Sequence, residues 1–139
     1  MSEFIDYLDR KFYPNCANNW DDTLFREYIL NVMKPHHRVL DIGAGAGIVE
    51  QMNFKGLAGS IVGIDLDERV LSNPWIDEAH HCDASHTPFS NNEFDIIVCD
   101  NVLEHIAEPD AFIEEVSRLL KPGGLFLGKT PNKYHYMPQ

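Results

Sequence analysis

The chain has 139 residues, 44% of them hydrophobic, enough for one domain with a buried core and too few for two. Eleven Lys and Arg stand against 22 Asp and Glu, a formal net charge of −11, and a surface that negative repels phosphate backbones and anionic lipid, which disfavours nucleic acid as a partner. No stretch approaches the roughly 18 apolar residues of a membrane span, and Met1 to Lys11 lacks the basic-then-apolar order of a secretory leader, so the expected location is cytoplasmic. Cys16, Cys82 and Cys99 are odd in number and form no Cys-x-x-Cys spacing, which argues against a disulfide framework.

In chain order, residues 1–37 read as a helical segment packing on a core of residues 38–139. Asp21 and Asp22 suit a helix cap, and Leu24, Phe25, Tyr28, Ile29 and Val32 follow at helical spacing. Pro35 ends that helix. Arg38 to Ile42 reads as a short buried strand, followed by glycines and a helix start over Ile48 to Met52. After the loop Lys55 to Ser60, a second apolar strand runs from Ile61 to Asp65. A helix over Asp67 to Leu71 stops near Pro74, and Ala79 to Asp83 forms a third strand. Phe94 to Cys99 is the clearest strand, rich in β-branched residues, with Cys99 in the core. Pro109 opens a helix with an apolar stripe of Phe112, Ile113, Val116, Leu119 and Leu120. Lys121 to Gly124 stops it, and Leu125 to Thr130 is the fifth strand. Apolar strands alternating with helical stretches imply a doubly wound, mostly parallel α/β sheet. Ligands of such sheets bind at the carboxyl ends of the strands, near the point where strand order reverses.

Those strand ends carry the informative residues. Asp41 is followed by Ile42 and then by Gly43, Gly45 and Gly47, with Ala44 and Ala46 between them. Glycines let the backbone turn sharply and approach a ligand with no Cβ in the way. A dinucleotide fingerprint needs a third glycine at position 48, where Ile48 stands. A carboxylate at Asp41 also opposes a pyrophosphate and favours a ligand with a positive group. Asp65 ends the second strand, 24 residues after Asp41, and suits the two hydroxyls of a ribose. Asp83 and Ala84, after the third strand, offer a carboxylate for an exocyclic amine and an N–H for a ring nitrogen.

With these residues in place the chain resembles the class I S-adenosylmethionine-dependent methyltransferases. The likeness rests on VLDIGAGAG (39–47), VGIDLD (62–67), CDASHTPFSNNEFD (82–95), VCDNVLEHI (98–106) and LLKPGGLFLGKTPN (119–132). It implies a Rossmann-like sheet in the order 3-2-1-4-5 and S-adenosyl-L-methionine as cofactor. By position, Asp41 and the glycines Gly43, Gly45 and Gly47 fall near the methionine part, Asp65 on the ribose and Asp83 on the adenine, with Ala44, Leu66 and Ala84 beside them in the cofactor site. Asp100 and Asn101 line the pocket after the fourth strand. The cofactor carries a sulfonium and an ammonium and no phosphate, in keeping with an acid beside the glycine loop.

The remaining candidates are weaker. Asn101 stands where some relatives carry a metal-binding Glu before Glu-His, so no metal is expected. His80 and His81 point to opposite faces of a strand, which breaks up the cluster they form with Cys82 and His86. Tyr13, Trp20 and Tyr28 can lid the cofactor or pack the first helices. The family usually continues past strand five into an antiparallel strand pair, which this chain lacks; a longer protein, a homodimer or a partner subunit at the strand-five edge would supply the missing wall. The expected activity is methyl transfer to a small-molecule or lipid- or sugar-linked acceptor, with His105 as the nearest candidate base. The alternatives are a non-catalytic cofactor-binding module and, against Asp41 and Ile48, a nicotinamide-dependent oxidoreductase.

Overall fold

The computed structural model describes residues 2–12 and 20–131. Five parallel strands form one sheet: β1 (Arg38–Ile42), β2 (Ser60–Asp65), β3 (Glu78–His81), β4 (Phe94–Asp100) and β5 (Leu120–Lys129). Their order across the sheet is β3-β2-β1-β4-β5, as the resemblance implied. Chain direction reverses its march between β1 and β4, which opens a crevice at their carboxyl ends.

Alternation along the strands builds two cores. Leu40 and Ile42 of β1, with Ile97 and Cys99 of β4, face a cluster closed by Phe112, Val116 and Leu119 of helix α3 (Pro109–Leu119). Val39, Ile96 and Val98 face the other side, with Phe25 and Ile29 of helix α2 (Trp20–Val32). Burial on both faces explains why β1, β2 and β4 read as unbroken apolar runs. Of the apolar residues expected to stripe α2, only Phe25 and Ile29 are buried; Leu24 and Tyr28 are exposed, and on α3 so is Ile113. Helix α1 (Ser2–Phe12) leaves Phe4, Tyr7 and Phe12 exposed.

Four expectations change in detail. The helices after β1 and β2 are only 3₁₀ turns, Glu50–Met52 and Glu68–Ser72. Each has too few residues before the next turn to overcome the cost of nucleating an α-helix. Arg26 of α2 compensates for the first. Its Nη1 donates to the carbonyls of Gln51 and Asn53, both at 2.8 Å, while the guanidinium lies 4.8 Å from the Phe54 ring centre. Strand β3 ends at His81, where its pairing with Asp65 stops, so Asp83 sits in the following turn. Strand β5 starts at Leu120 without a loop, its register with β4 shifting between Phe94 and Ile96 where Gly123 turns at φ +79°. Asp21 and Asp22 lie inside the first turn of α2 and hold a lysine far along the chain, described below. Tyr13 and residues 134–137 lie outside the described residues.

Candidate functional site

The glycine loop is built from backbone bonds first. The N–H groups of Gly43 and Ala44 donate to the Ile64 carbonyl at 2.8 and 3.1 Å, tying the tip of β1 to that of β2. Gly43, Gly45 and Gly47 all have positive φ (+77°, +54° and +78°), a region costly for any residue with a Cβ. At Gly43 the lack of a side chain is also a packing demand, because a Cβ there would lie 2.2 Å from Val102 Cγ2.

Asp65 is held by two backbone amides. Gly45 N–H donates to its Oδ2 at 2.9 Å and Asp67 N–H to its Oδ1 at 2.8 Å. Each oxygen keeps a lone pair for a further donor. Asp41 is only 5% exposed, and burial, then the charges of Asp100 and Asp65, push its carboxyl up to about 8. Asp100 is raised for the same first reason, burial, against the pull of Lys129. Lys129 Nζ lies 3.0 Å from Asp100 Oδ1, an ion-pair distance; that oxygen is buried and no donor points along its lone pairs. The same ammonium contacts Asp21 Oδ2 at 2.9 Å and Asp22 Oδ1. Burial alone would lower the proton affinity of Lys129, but three carboxylates reverse the sign and raise it.

The glycine loop, Asp41, Asp65 and Asp100 line a cavity of about 280 Å³ at the strand tips. Of the residues expected at the cofactor, Asp41, Gly43, Ala44, Gly45, Gly47, Asp65 and Asp100 line it. Leu66, Asp83, Ala84 and Asn101 do not. Leu66 is 73% exposed, and Ala84 is packed in the core. Asp83 accepts the Ser85 N–H at 2.8 Å, and Asn101, at φ +54°, donates its N–H to the Lys129 carbonyl at 2.8 Å. His105 stands outside, 78% exposed and 3.9 Å from Glu104. Trp20 and Tyr28 are not in the wall either. His80 donates or accepts at Glu78 and stacks edge-on with Phe89, while His81 contacts the Leu66 carbonyl.

The cavity also includes residues that sequence reasoning missed: Ile48, Val49 and Met52 on one side and Asp67, Arg69, Asn73, Trp75 and Ile76 on the other. The second group belongs to the segment read as a helix and its stop. The Asn73-Pro74 dipeptide signalled a turn, but nothing in the sequence showed that the turn folds back on the glycine loop.

The donor set is lopsided in charge. Asp41, Asp65, Asp67 and Asp100 face one cation in the lining, Arg69, which is already bound by Asp67 at 2.6 Å. Asp41 is buried with no cation paired to it among the described residues and Asp65 is bonded by backbone amides, an arrangement that fits a ligand carrying positive charge. The sequence profile of the family described as a methyltransferase domain matches residues 40–128, from the first strand to the fifth.

The chain belongs to this family. The resemblance to the class I S-adenosylmethionine-dependent methyltransferases is thereby borne out. Among curated relatives of the family, a ubiquinone biosynthesis O-methyltransferase from Aromatoleum aromaticum is 33% identical, with 96% of this chain and 66% of that protein aligned. A probable S-adenosylmethionine-dependent methyltransferase from Mycolicibacterium smegmatis is 29% identical, over 82% of this chain and 48% of its own. Among solved structures, a putative methyltransferase from Bacillus halodurans superposes with a TM-score of 0.66 at 28% identity, covering 77% of this chain and 50% of that one. The chain thus spans about half to two thirds of the length of these relatives.

Proposed function

We propose that the cavity binds S-adenosylmethionine and that the chain is the cofactor-holding core of a methyltransferase, with residues 1–37 as a helical addition to it. The observation that carries the reading is the convergence of Asp41, Asp65 and Asp100 on one glycine-lined cavity that lacks a free cation. When bound, the cofactor supplies a methyl group already activated on a sulfonium. The chain's residues then have to bind, orient and exclude water. Asp65 keeps acceptor capacity for two ribose hydroxyls while Gly45 and Asp67 fix its angle. Asp41 and Asp100 present negative charge to the sulfonium and ammonium. Gly43, Ala44, Gly45 and Gly47 form the cradle. Leu66, Asp83, Ala84 and Asn101, which lie outside the lining, are given no direct contact with the cofactor. A pyrophosphate here would face the carboxylates of Asp65 and Asp100 and carries no positive charge to draw off the Asp41 proton, which argues against the nicotinamide alternative.

The acceptor we propose is a small molecule or a lipid- or sugar-linked intermediate, supported by the ubiquinone-biosynthesis relative and the acidic surface. A good nucleophile needs no base; where one acts, exposed His105 is the candidate. β5 is a sheet edge among the described residues, half-exposed with Leu125 open, and supports pairing with a second copy or a partner subunit. We assign the protein to the cytoplasm; no described helix is long and apolar enough to cross a membrane, which supports that assignment. Titration calorimetry with S-adenosylmethionine, its demethylated product and NAD tests the reading. One-to-one binding of the first two is expected; no heat with either, or tighter binding of NAD, refutes it. Binding without methyl transfer to any of a broad acceptor panel favours the module alternative.

A further inference from the structure

Asn73 caps the end of the 3₁₀ turn after β2 and is 9% exposed. Its Nδ2 donates to two carbonyls of the glycine loop, Ala44 and Gly45, both at 3.1 Å. Its Oδ1 accepts the N–H of Trp75 at 2.9 Å, which fixes the amide plane. The fit is close. A Cβ on Gly47 would lie 2.6 Å from Asn73 Oδ1. Gly45, one of the two residues so held, is the one whose N–H reaches Asp65. A chain of contacts therefore runs from Asn73 through the Gly45 peptide to the carboxylate at the centre of the cavity. Only a primary amide can make it, because two donors and one acceptor are needed at one terminal group.

We infer that Asn73 is a positioning residue for the cofactor, acting as a clasp that holds the glycine loop in its ligand-ready shape. The inference rests on reading the cavity as an adenosyl-ligand site. Glycine-rich backbone is the costliest kind to order. With the clasp in place, that cost falls on folding; without it, ordering the loop falls on binding and weakens affinity.

The test is calorimetric titration with S-adenosylhomocysteine of the wild-type chain, Asn73→Ala, Asn73→Asp and the control Leu71→Ala, with ligand-free melting curves alongside. Leu71 is exposed on the same 3₁₀ turn and outside the cavity lining, so its variant binds like wild type. At pH 8 both Asn73 variants are expected to show a Kd raised at least tenfold. Asn73→Asp keeps the shape of the residue but sets a carboxylate against two carbonyl oxygens. Its deficit relative to wild type is expected to narrow as the pH is lowered to 5.5, because the protonated carboxyl regains one donor. If Asn73→Ala does not fold, the isosteric Asn73→Asp carries the test alone. A wild-type Kd in either folded variant overturns the inference. So does an Asn73→Asp deficit that acid leaves unchanged, since a space-filling role is blind to protonation. A wild-type chain that gives no heat overturns the functional reading itself.

Discussion

Asp41 gives the sharpest test of the electrostatics of the site, because its proton links ligand binding to stability. Its carboxyl is pushed up to about 8 by burial and then by Asp100 and Asp65, against about 3.9 in an unfolded chain. The folded state therefore holds a proton that the unfolded chain releases above about pH 4. The stability this supplies is complete below the unfolded value and is lost as pH rises through the folded one. Between pH 6 and 9 the loss amounts to about 3 kcal/mol, from roughly two pH units of linkage. For a chain of this size that is a fall of roughly 8 °C in melting temperature. Asn at position 41 has no proton to lose, so Asp41→Asn removes this slope. The assay is calorimetric or fluorimetric melting of both ligand-free proteins from pH 6 to 9. The difference between them isolates Asp41 from the thiols Cys82 and Cys99, whose proton affinities burial also raises. Parallel melting curves for the two proteins across this range would refute the argument. By the same linkage, a cationic ligand displaces the Asp41 proton. S-adenosylmethionine affinity should rise from pH 6 to 8, with proton release visible as a dependence of the heat on buffer ionisation.

Four further outcomes follow from packing and pairing. Gly43→Ala should cost about 2 kcal/mol or more and abolish ligand binding, since its Cβ meets Val102 at a positive φ. Gly56→Ala, at φ +83° with nothing within 4 Å, should cost only the backbone strain of about 1 kcal/mol in a denaturant titration. Lys129→Met leaves Asp100 buried without its cation. After discounting for the half-exposed Asp21, a loss of about 2 kcal/mol is expected at pH 7, shrinking in melts below pH 5 as the carboxylates take up protons. Glu115, buried, accepts from the N–H and Oγ1 of Thr87 and from Arg118 Nε at 2.5 Å. Burial opposes its charge, but these donors win and hold its carboxyl below the usual range. That stability is present above the unfolded value and lost as pH falls, and Glu115→Ala should cost about 3 kcal/mol in urea titration at pH 7.

The sheet was readable because its chemistry is local. The apolar runs of β1, β2 and β4 are buried on both faces, each run carries an acid at or near its tip, and Asp41 of β1 is followed by glycines that only a tight turn explains. Residue spacing alone separated the loop from a dinucleotide fingerprint, at Ile48. What stayed hidden depends on contacts between distant residues. The bonds of Lys129 to Asp21 and Asp22 cross more than 100 positions, so the two acids read as caps when they are counter-ions. Asn73 read as part of a helix stop because its partners, Ala44 and Gly45, lie one strand away. The helix expected after β1 is a 3₁₀ turn whose end is held by Arg26, from a different element, through the carbonyls of Gln51 and Asn53. Phe112 and Ile113 show the limit of periodicity: adjacent on α3, one is buried and the other exposed, where the pattern put both in the stripe.

The central claim is that the strand tips of β1, β2 and β4 form one adenosyl-ligand site, and backbone amide shifts in an NMR titration with S-adenosylhomocysteine test it most directly. The account predicts the largest saturable shifts at Gly43, Gly45, Gly47, Asp65 and Asp100. Shifts confined to the opposite ends of the strands, around Arg38, Glu93 and Lys121, would contradict it.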